Sequence, residues 1–203
     1  MGRSDPLLRS TYAAMFPNKG DIALLGFTNN DWSNGDLYDL RHNNWDINSD
    51  WKLNKKYDSI ISTRCPYFSK NPHEFIKKCY ENLNNGGEIF LDWGLGDHWR
   101  FENYKIGWVK DGEHEYAYEE GNYLWSTIWD DSFINHPQYK LFERYVQKFG
   151  YKDVKRAIFN EVPTICDLGY IKEYFNIEYN ILTLWEEKPQ MYFFIKGRKK
   201  AGS

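Results

Sequence analysis

Cysteine is scarce in this chain: Cys65, Cys79 and Cys166 are its three, an odd number at wide and irregular spacing. Neither a disulfide framework nor a zinc site is built that way, so no metal is expected and a reducing, cytoplasmic setting is. A surplus of one charge is lacking too. The 26 Lys and Arg stand against 29 Asp and Glu, a formal net charge of -3, which does not support nucleic acid as a partner because phosphate binding calls for a basic patch. No apolar run approaches the roughly 20 residues a membrane span needs, and "MGRSDPLLRSTYAAMF" has no apolar centre of signal-peptide length. No membrane partner is expected. A "GxxxxGK(S/T)" phosphate loop and a "GxGxxG" are also missing, which counts against a phosphate-transferring or nucleotide-sugar enzyme.

Aromatic residues are plentiful at 19% of the chain, nine of them Trp. Packing accounts for most rings in any fold, but rings set in polar segments such as "NYLWSTIWDD" also suit a pocket for a flat ligand.

Three segments read as strands buried on both faces: "DIALLGF", "YDSIIS" and "EIFLDW". Between the last two, "NPHEFIKKCYENLNNGG" carries Phe75, Ile76, Cys79, Tyr80 and Leu83 on one helical face, with an Asn cap, Pro at the start and Gly at the stop. Strand, helix, strand with so long a crossover is a parallel unit. "PLLRSTYAAMF" is a covering helix, "DLGYIKEYF" another, and "IEYNILTL" with "MYFFIKG" form an antiparallel hairpin around the turn "EEKPQ". The fold class is therefore α/β: a mostly parallel, twisted, Rossmann-like sheet with a C-terminal antiparallel hairpin and helices on both faces. One domain over 1–203 is expected, with an insertion at about 94–163, after the third recognisable strand, acting as lid or substrate subdomain. Only "PQYKLFERYVQKF" in that stretch has a clean helical period.

Open parallel sheets bind ligands beyond the carboxyl ends of their strands. Asp92, Trp93, Gly94, Asp97, His98 and Trp99 fall at such an edge, as do Gly26 and Thr28 after the first strand and Ser62, Arg64, Cys65 and Tyr67 after the second.

The order of these elements resembles class I S-adenosylmethionine-dependent methyltransferases. "YDSIIS", its helix, "LNNGGEIFL" and the closing hairpin are similar to that family's fourth and fifth strands and hairpin, over about half of the chain. The resemblance implies S-adenosyl-L-methionine as cofactor. It puts Gly26, Phe27 and Thr28 at the turn that approaches the methionine part, although Leu24 stands where an acid is usual. It puts Asp39, in preference to Asp36, at the ribose hydroxyls, Asp46 beside Trp45 at the adenine, and Ser62 at the same edge. A valine at Gly26 is then expected to fill ligand space and leave the fold intact. From Phe27 to Tyr57 the chain is too short for two full crossovers, so one helix is expected to be missing or reduced to a loop.

"RCPYF" partly resembles the "(D/N)PPY" signature of amino-group methyltransferases, with Tyr67 either clamping a flat acceptor or buried in a proline turn. His98, Asp92 and Tyr67 are the candidate catalytic groups, Asp92 being either a crevice acid or a loop cap. The expected function is methyl transfer to a small-molecule acceptor. The alternative is a degenerate member of the fold that binds a ligand or partner without catalysis.

Overall fold

The structure, a computed structural model, describes residues 4–97, 126–148, 164–185 and 190–202. Its centre is a six-stranded sheet in the order β2-β1-β3-β4-β8-β7. The strands are β1 (Ile22–Leu25), β2 (Asp36–Tyr38), β3 (Tyr57–Ser62), β4 (Leu83–Asp97), β7 (Phe175–Leu184) and β8 (Gln190–Lys199). The first four run parallel, while β8 is antiparallel to both β4 and β7. This is the mostly parallel, Rossmann-like sheet with a closing hairpin that the sequence suggests.

Strict alternation sorts the side chains between two faces. Ala23, Leu25, Ile60, Ile89, Leu91, Phe193 and Ile195 join one buried cluster, and Ile22, Leu24, Ile61, Phe90, Tyr192 and Phe194 the other. The first face is covered by α2 (Pro72–Asn82), α3 (Pro137–Lys148) and α4 (Leu168–Tyr174), which supply Phe75, Ile76 and Cys79, then Tyr139 and Phe142, then Leu168 and Ile171. Asn71 caps α2 by accepting the Glu74 N–H at 3.1 Å, and Pro72 opens the helix where no N–H is needed. Asp167 caps α4 in the same manner.

The second face has one helix, α1 (Ser4–Ala13), which sets Leu8 and Tyr12 on the sheet; the Tyr12 ring stacks on Phe194 at 4.4 Å. The chain between Leu25 and Tyr57 contains no helix, so both early crossovers are loops and not just one of them. Toward its other end the α1-side face turns polar: on β4 and β8 the largely covered Glu88 meets the exposed Arg198 at 3.0 Å and the partly exposed Lys196 at 3.9 Å. A face with charged residues needs no helix above it.

The expected insertion contributes β5 (Thr127–Trp129), a 3-10 turn at Asp131–Asn135, and α3. β5 pairs in parallel with β6 (Ile165–Asp167), a small second sheet that short polar segments do not announce in sequence. Ser126 donates its N–H to the Tyr67 carbonyl at 3.0 Å, and the Thr127 hydroxyl donates to the Gly94 carbonyl at 2.8 Å, so this segment starts beside the carboxyl ends of β3 and β4. Phe133 then stacks on Phe193 at 5.1 Å. Trp129 and Trp93 are both buried in the core, Trp93 edge-on to Phe75. Packing accounts for these two indoles; Trp99, Trp108 and Trp125 lie outside the described residues. No helix among the described residues is long and apolar enough to cross a membrane.

Candidate functional site

Because β1 has β2 on one side and β3 on the other, the chain changes direction between them, and the crevice above that switch point is where an open α/β sheet takes its ligand. A pocket of about 290 Å3 lies there. Each strand sends one loop into it: Gly26 follows β1, Asp39 and Leu40 follow β2, and Arg64, Cys65 and Phe68 follow β3, with Trp45, Asp46, Ile47 and Asn48 closing the wall.

Gly26 sits in the left-handed region at φ +81°, with its N–H donated to the Tyr38 carbonyl at 2.6 Å. A Cβ on Gly26 would come within 2.7 Å of both the Cβ and the Sγ of Cys65. The glycine is thus required by the backbone and by a neighbouring side chain, and the expectation that a larger residue would spare the fold does not hold.

The two acids are set by their own turns. Asp39 Oδ1 accepts the Arg41 N–H at 3.0 Å, and Asp46 Oδ1 accepts the Asn48 N–H at 2.9 Å. Each carboxylate therefore keeps a second oxygen that no described residue occupies. Asp36 lies at the other end of β2, where Oδ2 accepts the Tyr57 hydroxyl at 2.7 Å, away from the pocket. Asn48 joins the two walls: Nδ2 donates to the Phe68 carbonyl at 3.0 Å, and Oδ1 accepts the Lys70 N–H at 2.8 Å. Sequence reading missed Asn48, since its partners are some twenty residues away.

The remaining candidates fall elsewhere. Phe27 is buried in the α1-side core, its ring 4.4 Å from the Arg9 guanidinium, and Thr28 is exposed; neither lines the pocket. Ser62 is fully buried, and its hydroxyl donates to the Leu25 carbonyl at 3.1 Å, tying β3 to β1. Tyr67 is buried in the 3-10 turn Pro66–Phe68 against Phe68, and the Phe68 ring, not Tyr67, faces the pocket.

Asp92 is fully buried beneath the β3 loop, where Oδ1 accepts the Arg64 N–H at 2.6 Å. Arg64 has φ +58°, a conformation that a side chain rarely adopts, and this bond holds it. Of its two readings from sequence, Asp92 takes the part of a loop cap. Burial first, and then the Asp92 carboxylate, hold the Tyr12 hydroxyl well above the usual phenol range, so it stays protonated. His98 lies outside the described residues.

Cys65 lines the pocket, yet burial pushes its thiol up to about 12, against smaller downward pulls from Ser62 and Arg9. Thiolate is the nucleophilic form, so Cys65 is inert near neutrality. Native protein is expected to resist iodoacetamide at pH 8 at this residue, as peptide mass spectrometry would read, while unfolded protein reacts; rapid native labelling would refute the burial. The linkage has a definite sign. A thiol raised in the folded state stabilises fully below its ordinary value of about 9.0, and that contribution disappears as pH rises toward about 12. Melting temperature should therefore decline above about pH 9.

No family model matches the chain, and no curated protein matches it. Among solved structures it is similar to an S-adenosylmethionine-dependent methyltransferase from Thermotoga maritima, at 10% identity and a TM-score of 0.42 over 96% of this chain and 89% of that one. It is also similar to the N-methyltransferase NodS of Bradyrhizobium japonicum, solved with S-adenosyl-L-homocysteine, at 10% identity and a TM-score of 0.45 over 98% of this chain and 86% of that one. A third is the plantazolicin methyltransferase BpumL, at 13% identity and a TM-score of 0.42 over 98% and 87%.

Proposed function

We propose that this chain is an S-adenosylmethionine-dependent methyltransferase acting on a small molecule, with the cofactor's adenosine seated in the switch-point pocket. The observation that carries the reading is the meeting of Asp39 and Asp46, each with a carboxylate oxygen that no described residue engages, around one cavity that Gly26 also lines. The fit is favourable for the nucleoside. Ligand pockets run from about 300 to 1,000 Å3, and a volume of about 290 Å3 suits an adenosine better than a bulkier group. Asp39 would accept the ribose hydroxyls, while Ile47 and Phe68 offer apolar surface to the adenine ring.

The cofactor, when bound, supplies a methyl group on a sulfonium. The chain's part is alignment: the β1, β2 and β3 loops fix the donor, and the acceptor must approach in line. The insertion at about 94–163 is read as the wall of the acceptor side of a single domain. A general base is needed only for an acceptor that loses a proton, and His98 is the remaining candidate for it. A cytoplasmic setting accords with three buried free cysteines.

Asp39→Ala is expected to weaken S-adenosyl-L-homocysteine binding by about 1.5 to 3 kcal/mol, the range of a charge-assisted hydrogen bond, with melting temperature nearly unchanged. Calorimetric titration of parent and variant tests this. Equal affinities would remove Asp39 from the site, and a loss with Asp36→Ala instead would move the ribose to the other end of β2.

One observation favours the alternative, a degenerate binding protein: Asp92 and Tyr67 are buried and committed to internal contacts. Tight binding of the cofactor's product without methyl transfer to any acceptor among small amines, phenols and thiols would support it.

A further inference from the structure

Two of the pocket's walls come from different loops. Asp46, Ile47 and Asn48 stand on the loop between β2 and β3, and Phe68 ends the 3-10 turn after β3. Because no helix lies between β2 and β3, the first wall takes its position from local bonds. Ser49 donates its N–H and its hydroxyl to the Asp46 carbonyl at 3.2 and 3.1 Å, closing a turn, and Lys78 Nζ on α2 donates to the Ser49 carbonyl at 2.7 Å. These bonds seat the turn on α2. They leave its separation from Phe68 unset.

Asn48 sets it. Its Nδ2 donates to the Phe68 carbonyl at 3.0 Å and its Oδ1 accepts the Lys70 N–H at 2.8 Å, so one amide grips the backbone on either side of Ser69, as a neighbouring strand would. The main-chain N–H of the same residue holds Asp46 Oδ1 at 2.9 Å. Asn48 is exposed, and fixing a surface side chain at both ends costs rotamer freedom that a packing role does not require. A wall held in advance spares the ligand that ordering cost.

We propose that Asn48 is a positioning residue: its side-chain amide sets the gap between Ile47 and Phe68, and with it the fit of a flat nucleobase between them. This rests on the cofactor reading above. The residue acts through Phe68 and is independent of the ribose contact at Asp39.

Calorimetric titration with S-adenosyl-L-homocysteine, carried out in three backgrounds, tests this. Asn48→Ala is expected to weaken binding about tenfold in the parent, the scale of one or two neutral hydrogen bonds, with melting temperature nearly unchanged. In a Phe68→Ala protein the same change should cost less than about twofold, because the wall it positions is gone; in an Asp39→Ala protein it should keep its full effect. Asn48→Ser, too short to span both groups, repeats the comparison should Asn48→Ala fail to fold. Unchanged affinity in the parent overturns the inference and leaves the cofactor reading standing. An equal loss in all three backgrounds also overturns it, as does a loss that shrinks with Asp39→Ala as much as with Phe68→Ala, which a general loosening of the pocket would produce. Failure of the parent to bind the ligand overturns the cofactor reading, and this inference with it.

Discussion

Gly26→Val is expected to destabilise the folded chain by about 2 to 5 kcal/mol, with or without ligand. Two costs add. A side chain in the left-handed region costs about 1 to 2 kcal/mol, and overpacking against a fixed neighbour adds about 1 to 3 kcal/mol. Gly26 has φ +81°, and the neighbour is Cys65, whose Cβ and Sγ would both lie 2.7 Å from the new Cβ. Thermal or urea unfolding measures the sum. Cys65→Gly in the same background should recover the packing part and leave the backbone part, so the double-mutant cycle separates them. A Gly26→Val protein as stable as the parent, yet unable to bind ligand, would mean that the glycine serves only to clear ligand space.

Asp92→Ala is expected to cost about 3 to 5 kcal/mol, the usual result of removing one member of a buried charged group. The carboxylate binds the N–H of a residue at φ +58° and is the one buried anion beside two buried guanidiniums among the described residues. Tyr12 of α1 also faces it, so the loss should reach α1. Limited proteolysis within Ser4–Ala13 should accelerate in the variant. Asp92→Asn keeps an acceptor oxygen for the Arg64 N–H and should recover part of the stability. If Asp92→Ala unfolds like the parent while methyl transfer is abolished, Asp92 is a crevice acid after all and not a cap.

"YDSIIS" matches β3 residue for residue, because a continuous apolar run between turns has few other ways to be buried. Asn71 with Pro72 announces the start of α2, and the alternating "IEYNILTL" and "MYFFIKG" announce the hairpin. The crossovers were less legible. Neither of the two early ones contains a helix, where the sequence suggested that only one would be missing or reduced to a loop.

Within the site, Gly26, Asp39 and Asp46 were accessible because each sits in a turn whose chemistry is local. Asn48 was not, because it acts through Phe68 and Lys70; Asp92 was singled out at its strand end, but its partner, the backbone of Arg64, was not legible. Ser62 and Phe27 show the opposite failure. Both stand at the right edge in sequence, but Ser62 spends its hydroxyl on β1 and Phe27 turns its ring to α1.

A crystal structure of the protein saturated with S-adenosyl-L-homocysteine tests the central claim most directly. The account predicts the ribose hydroxyls within hydrogen-bond distance of Asp39 and the adenine beside Ile47 and Phe68. Ligand bound at any other edge of the sheet, or an empty switch-point pocket at saturating ligand, would contradict it.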